Sequence, residues 1–465
     1  MPLPAACRHV VGHGSTPERR WRPVPVHVDS AQQQDSRPSL RDHRGFRAYW
    51  LGEATNLMGS SLYTVALPVI AAVELHATPG QVSALASAVL APVFVLALPA
   101  GVAGDRYSKR RLMVATDLLA AAVVAVIPAC WAVGTLSMPV LYVVGLLLGA
   151  LTVLHQAAAI AIVPELVEPA LLHQANSRVM AAFAVAGSAG TYGGTAAVSL
   201  LGAARCLLLD SASYLLSAWW ASRIPPDVVR PSNGPRPRLL GAIREGVTHV
   251  TRDRIQRPLV LTMTVHAYAD GVVTTYFAYY LLTELGFSST GLGLVLGSMG
   301  TGSLVGALAA SGLVSRAGPG AVLLAGFAAY PLCGLPLVLA PSGSVLWLIV
   351  LAAASGLQAA AATAAASTQR SLRQHTCPPD MQSRVQQTSV WLVAGARLLA
   401  ALSAGAIAHA AGVRAALVVG MATLVVPVVL LGLSPVRLLT VMPGAATAPP
   451  DHAGRPMEGG QDRVH

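Results

Sequence analysis

The sequence predicts an all-α membrane protein with twelve transmembrane helices arranged as two six-helix pseudo-repeats. Three observations carry this: a composition too apolar for a soluble globule, twelve separate apolar runs, and a one-sided distribution of positive charge. Of the 465 residues, 54% are hydrophobic and only 11% are charged, against about 25% charged in an ordinary soluble domain. The hydrocarbon core of a bilayer is about 30 Å thick and takes roughly 20 helical residues to cross.

Apolar runs of that length lie at 49–73, 81–104, 112–134, 138–163, 179–201 and 203–223. Six more follow at 259–283, 290–314, 320–340, 345–367, 385–410 and 413–433. Most separators are short and marked by Pro, Gly or charge, as in Thr78-Pro-Gly80, Pro341-Ser-Gly343 and Pro378-Pro379. The long exception, 224–258, is rich in Pro and Arg and divides the spans six and six. Within it Leu239, Leu240, Ile243, Val247 and Val250 share one helical face, with Arg244, Glu245 and Arg252 off it, the pattern of a short helix lying on the membrane surface. The domain reading is therefore a polar N-terminal arm (1–45), a six-helix half (46–223), a cytoplasmic linker (224–258), a second half (259–443) and a polar tail (444–465). Both polar ends are expected to be disordered, and the arm lacks the apolar stretch of a secretory signal.

Charge sets the orientation, because Lys and Arg concentrate on the cytoplasmic side. With the N-terminus inside, the inner segments hold Arg41, Arg44 and Arg47, the cluster 105–111, the linker, Arg316, Arg370, Arg373, Arg384 and Arg437. The opposite connections near 75–80, 135–138, 284–289 and 341–344 hold no Lys or Arg, and only Arg205 and Arg414 fall outside. A multi-pass protein of the cell membrane with both termini cytoplasmic is expected. The net charge of +11 then reads as topology bias and attraction to an anionic leaflet. A nucleic-acid partner is not expected.

Other function classes are excluded on motif grounds. The glycine-rich pattern ending in Lys-Ser/Thr that cradles nucleotide phosphates is absent, so ATP drive from this chain is not expected, and no enzymatic constellation is present. The cysteines (Cys7, Cys130, Cys206, Cys333, Cys377) show no paired spacing that would suggest a disulfide framework or a zinc site. No cofactor or metal is expected.

The two halves echo each other. Gly101-Val-Ala-Gly-Asp105-Arg106-Tyr-Ser-Lys109-Arg110-Arg111 follows the second span much as Gly306-Ala-Leu-Ala-Ala-Ser-Gly312-Leu-Val-Ser-Arg316-Ala-Gly318 follows the eighth. Duplicated halves of this kind mark transporter folds. The first of these stretches resembles the loop motif of the major facilitator superfamily between its second and third spans, with Ser108 where that family more often has glycine. Further stretches narrow the resemblance: Val163-Pro164-Glu165-Leu166-Val167, Gln174-Ala175-Asn176-Ser177-Arg178, Asp210-Ser-Ala-Ser-Tyr214, Ser383-Arg384-Val385 and Leu433-Ser434-Pro435-Val436-Arg437. Together they resemble the drug and siderophore exporter branch that includes enterobactin and macrolide efflux proteins, over about residues 46–443. Two features depart from the proton-coupled members. The fourth span has no arginine, and the fifth reads Gly187-Ser-Ala-Gly190-Thr-Tyr-Gly193-Gly194 without the Gly-Pro of the antiporter motif.

The resemblance implies a secondary transporter working by alternating access, exporting a small organic compound against inward proton flow. An importer, or a non-transporting sensor or scaffold on the same fold, are the alternatives. The expected partners are the small-molecule substrate, protons and the lipid bilayer, and the expected state is a monomer. Gly101, Asp105, Arg106, Lys109, Arg110 and Arg111 would form a conformational latch, with Asp105 capping the start of the eleventh span near Arg384. A helix N-terminus favours an anion there.

An ionisable group inside the bilayer costs on the order of 3 kcal/mol and needs a reason. Glu53 and Asn56 share a face of the first span, and His266 and Asp270 share a face of the seventh. The resembling fold sets these two spans in equivalent positions lining its cavity, which makes Glu53, Asn56, His266 and Asp270 candidates for proton or substrate binding. The competing reading is a solvated Glu53 and a satisfied His266–Asp270 pair. Arg397 stands mid-span in the eleventh with no acid on its own helix, so it must pair with a carboxylate elsewhere, reach water or bind an anion. His155-Gln156 and Gln358 are polar groups that could bond a ligand or hold helices together. Asp117 is expected to pair with Arg106 or Arg110, and Asp210 to be a structural partner beside Arg205.

Overall fold

The computed structural model describes residues 43–106, 108–167, 171–225, 248, 250–377 and 382–441, the side chains of 97–106, 164, 172–174, 176–177, 180–181, 183–184, 187–188, 191–192, 195, 199, 374, 382–384 and 387 excepted. The N-terminal half holds α1 (Arg44–Val69), α2 (Pro79–Arg106), α3 (Lys109–Ala132), α4 (Met138–Leu166), α5 (Leu172–Leu201) and α6 (Ala203–Ala221). The C-terminal half opens with α7 (Gln256–Tyr279). A continuous helical segment, Ser289–Leu339, breaks at Gly318 (φ 79°, ψ 158°) into α8 (289–317) and α9 (319–339). Next come α10 (Val345–Thr376), α11 (Gln382–Ala411), and a last span made of α12 (Val413–Thr423) and α13 (Val425–Gly432). These make the twelve spans in two groups of six.

Eight helical segments among the described residues are long and apolar enough to cross a bilayer, the segment Ser289–Leu339 counting once although it holds two spans. The remaining three, α5, α6 and α7, are not among those segments. Several helices also run past the apolar stretches read from sequence. α4 reaches Leu166, α10 reaches Thr376 and α5 begins at Leu172, because polar residues can continue a helix once it has left the hydrocarbon. Serine caps open three helices: Ser108 accepts from the Arg111 amide, Ser288 from Gly291 and Ser344 from Trp347. The expected linker helix and the polar arm and tail lie almost wholly outside the described residues. Of the linker's apolar face Val250 is described, and it is buried with Val260, Cys377 and Val385.

The duplication is clearest at the helix ends. α1 and α7 each finish in a π-helical turn, Ile70–Glu74 and Tyr280–Glu284. Each is closed by the same bonds: Leu75 N–H to Ile70 O (3.0 Å) and Ala77 N–H to Ala71 O (2.9 Å), against Leu285 to Tyr280 (2.9 Å) and Phe287 to Leu281 (2.9 Å). Both turns end in Glu-Leu followed by a positive-φ residue, His76 (48°) and Gly286 (71°). Pro68 precedes the first turn, but α7 carries no equivalent proline, so proline is not what widens the helix. The α5–α6 and α11–α12 corners likewise turn on Gly202 (φ 84°) and Gly412 (φ 86°).

The core is shared at one end and divided at the other. At the end bearing the π turns, one apolar cluster joins Val65, Ile70 and Ala77 of the first half to Tyr276, Leu281, Leu292 and Leu417 of the second. The Tyr276 hydroxyl donates across the halves to the Pro79 carbonyl at 2.8 Å. At the opposite end, where α2 turns into α3, each half keeps its own core. Phe46, Met113, Ile162 and Ile224 cluster in the first, and Leu259, Leu323, Leu372 and Val436 in the second. This is the hinge end. A cavity of about 830 Å³ lies in the second half, with Thr64 and Pro68 of α1 completing its wall. Within the second half α8 presses against α10, where Gly302 and Gly306 face the backbone carbonyls of Gly356 and Ala360.

Candidate functional site

Three ionisable side chains of the first half converge in its interior. Glu53 on α1, Asp117 on α3 and His155 on α4 each lie about 8–11 residues from the hinge end of their helix, roughly 12–17 Å in at 1.5 Å per residue. His155 Nε2 stands 2.8 Å from Glu53 Oε1, and its Nδ1 stands 3.0 Å from Asp117 Oδ1. Asn56 donates its amide to Asp117 Oδ1 (3.1 Å), and the Ser217 hydroxyl of α6 donates to Asp117 Oδ2 (2.7 Å). The Thr116 hydroxyl sits 3.3 Å from His155 Nδ1. All three ionisable groups are buried; Asp117 is 1% exposed.

This corrects the sequence reading of Asp117 as a partner of Arg110, the Arg106 side chain lying outside the described residues. Its oxygens are engaged by His155, Asn56 and Ser217, while Arg110 donates instead to the Ser222 carbonyl at the end of α6. Helical phase explains it, since Asp117 is two turns into α3 and faces the interior, whereas Arg110 remains at the hinge end. Glu53 is 8% exposed and paired, not solvated. In the sequence His155 stands as one polar group among several. The available signal was depth, because Glu53, Asp117 and His155 lie at matching distances from the inner ends of three spans.

A chemically different arrangement occupies the second half. Asp270 lines the 830 Å³ cavity with Thr274, Phe277, Met299, Tyr330, Ser355, Gln358 and Arg370. Thr64 and Pro68 are the first half's contribution. Asp270 Oδ2 is 3.7 Å from Arg397 Nη2, a loose pair in which the arginine side chain is 51% exposed. Close packing sets it up, for Gly271 of α7 lies directly against Arg397 and Ala400 of α11. Of the three options open to Arg397 in sequence, a carboxylate on another helix is the one found. His266 does not complete a pair with Asp270. Its ring stands edge-on to Phe327 (5.1 Å between centroids) and Tyr330 (4.1 Å), and Nδ1 is buried without a hydrogen-bond partner. Gln358 donates to the Tyr330 carbonyl at 3.2 Å, and Gln156 is exposed.

At the hinge, Gly101, Asp105 and Arg106 lie in the last turns of α2, and the side chains of Asp105, Arg106 and Arg384 lie outside the described residues. Lys109 pairs with Glu165 at the end of α4 at 2.8 Å. With Arg110 on Ser222, it ties the start of α3 to the ends of α4 and α6. Arg373, read from sequence as a loop charge, is instead buried within α10 and donates to Gln386 Oε1 at 2.8 Å. Asp210 is fully buried in α6, while Arg205 stacks over the Trp131 ring at 5.0 Å. The expected Arg205–Asp210 partnership is absent among the described residues. Among them too, no group of His, Cys, Asp and Glu could hold a metal ion.

The sequence profile of the Major Facilitator Superfamily matches residues 49–388. The chain belongs to that superfamily. No curated protein matches this superfamily member, but solved structures do. A mutant of the nucleoside transporter NupG superposes with a TM-score of 0.68 at 10% identity, covering 83% of this chain and 98% of that one. A bacterial homologue of the iron transporter ferroportin in its inward-facing state gives 0.66 at 16%, covering 84% and 98%. A bacterial homologue of the human lysosomal transporter Spinster, inward-facing and unoccupied, gives 0.58 at 17%, covering 85% and 97%. At these identities the likeness is one of fold. This facilitator is a multi-pass membrane transporter of small molecules, not an enzyme.

Proposed function

We propose that the chain exports a small, amphipathic organic compound (a drug, siderophore or other natural product) in exchange for protons, by alternating access in the cell membrane. The observation that carries this is the Glu53–His155–Asp117 network, with contacts of 2.8 and 3.0 Å. Two carboxylates and one imidazole can hold a proton inside the membrane with little residual charge, because each charge state finds an adjacent partner. Substrate would occupy the C-terminal cavity, where apolar Phe277, Met299 and Leu337 mix with Asp270, Tyr330 and Gln358. Loading one half with protons and the other with substrate separates the two events in space and couples them through the rocking of the halves.

With the termini cytoplasmic, the divided core at the hinge end corresponds to an inward-facing state. The Gly101–Arg111 motif then serves as the latch of the opposite state, with Asp105 facing the start of α11. Drug and siderophore export rests on the sequence resemblance. Asp270 in the cavity wall, only loosely paired with Arg397, favours a substrate that carries a charge.

The test is transport of candidate compounds into inverted vesicles with an imposed pH gradient. Gradient-dependent accumulation is expected in the wild type. Glu53→Gln should lose the response to the gradient while keeping substrate–substrate exchange. Loss of both together would assign the network to folding rather than coupling, and movement of no compound by folded protein would favour a scaffold. Uptake in the reverse direction would make the chain an importer.

A further inference from the structure

The described structure holds one buried carboxylate that the triad and the cavity leave unused. Asp210 is 0% exposed, and neither carboxylate oxygen has a hydrogen-bond partner of sound geometry among the described residues; the Ser213 hydroxyl beside it donates to the Asp210 backbone carbonyl at 2.7 Å. It lies on α6 against α1. A side chain at Gly59 would come within 2.6 Å of Asp210 Oδ1 and collide with the Ser213 hydroxyl, so only glycine lets α1 close over this carboxylate. Tyr63, one turn further along α1, also buries a hydroxyl without a partner.

No cation among the described residues stands ready to neutralise it. Arg205, the nearest base on α6, is stacked on Trp131 of α3, and the acid near the mouth of the helix is Glu74, beside Ala204 and Trp131. Cys206 and Tyr214 lie on the same helix as Asp210, and Tyr63 faces it from α1. From α3 the ionisable group is Asp117, bonded to Ser217. On α5, Arg178 is the only ionisable residue whose side chain is described, and it lies near the hinge end. An ionised carboxylate in this setting would carry an uncompensated charge inside the membrane, and removing that charge favours the protonated acid.

The surroundings also connect. Asn56, which donates to Asp117, accepts from Ser60 (3.3 Å), and Ser60 lies 3.4 Å from the Tyr214 hydroxyl, one turn along α6 from Asp210. A polar seam thus runs between α1 and α6 from the triad to the turn beside Asp210, about 9 Å along α1 from Glu53 to Gly59 at 1.5 Å per residue.

We infer that Asp210 is a second proton-binding site of this transporter, in the α1–α6 seam and separate from the Glu53–His155–Asp117 network. The carboxylate takes one proton from water admitted when the helices part, forming an O–H bond and losing its negative charge, and returns that proton to water by the reverse step. The inference does not rest on proton coupling through the triad.

Infrared difference spectroscopy on the purified, reconstituted full chain with carboxyl-labelled aspartate tests it. The acid-minus-alkaline spectrum should contain a label-sensitive carboxylic-acid carbonyl band that is lost in Asp210→Asn, replaced by a label-insensitive band in Asp210→Glu and retained in Asp117→Asn and Asp270→Asn. Proton uptake on acidification should fall by one per chain in Asp210→Asn. Should that variant fail to fold, the change of the band in Asp210→Glu still assigns it. A band of equal intensity at every pH, a band that survives Asp210→Asn, or one abolished by sodium at constant pH would each overturn the inference. Glu53→Gln should leave the Asp210 band in place, so failure of the triad reading is told apart from failure of this one.

Discussion

The imidazole of His155 and the carboxylate of Glu53 meet at 2.8 Å in the interior of the N-terminal half, brought together from 102 positions apart in the chain. With Asp117 on the other ring nitrogen, the histidine bridges three helices. Such a bridge both holds α1, α3 and α4 in register and offers a place to store charge. The two roles respond differently to substitution.

Removing the imidazole leaves two buried carboxylates facing each other. Loss of one partner from a buried ionic pair costs about 3–5 kcal/mol, so His155→Ala should lower thermal stability in detergent markedly. Glu53→Gln keeps hydrogen bonding to the ring and should cost far less, while abolishing the response to a pH gradient. Melting curves and vesicle transport measured on both variants check the split. Equal destabilisation would argue for a purely structural bridge.

Asp270 and Arg397 behave differently because the arginine is half-exposed and the contact is 3.7 Å. Solvent screening limits the coupling of such a pair to about 1 kcal/mol or less. A double-mutant cycle on stability with Asp270→Asn and Arg397→Gln should show coupling in that range, and either single variant should reduce substrate affinity more than protein yield. A large stability coupling with unchanged transport would remove the pair from the substrate site.

The Tyr276 hydroxyl ties α7 to Pro79 across the halves at the closed end. One neutral hydrogen bond is worth about 1 kcal/mol, roughly a five-fold change in an equilibrium. Tyr276→Phe should shift the population by that factor towards opening at this end, read as a longer distance between spin labels flanking the π turns. An unchanged distance distribution would show that apolar packing alone keeps this end shut.

Where α8 crosses α10, Gly306 faces the Ala360 backbone, whereas Gly312 has open space around its Cα. Overpacking against backbone costs about 1–3 kcal/mol, so Gly306→Ala should reduce folded protein in the membrane. Gly312→Ala should not. Matching yields from the two would contradict the close approach.

At the hinge, Asp105→Asn should lower the transport rate while membrane levels hold, as expected of a latch that works in one state of the cycle. An unchanged rate would sink the latch.

The spans, their six-and-six division and their transporter fold were legible because bilayer thickness and charge bias act on every residue along the chain. The Asp270–Arg397 pairing was half legible, as two lone charges at similar depth in different spans. The partner of Asp117 was not, because helix phase and the packing of α3 against α4 and α6 decide it. Nor was the freedom of Asp210, since a neighbouring Arg205 in sequence says nothing of an arginine turned onto Trp131. The repeated π turns needed coordinates as well, their sequence trace being little more than Glu74-Leu75 and Glu284-Leu285. The sequence by itself determined that twelve helices cross a membrane and which ionisable residues they carry inside. Only the tertiary structure decided which of those residues meet, because hydrophobicity selects the solvent for each helix while side-chain contacts depend on how the helices rotate against one another.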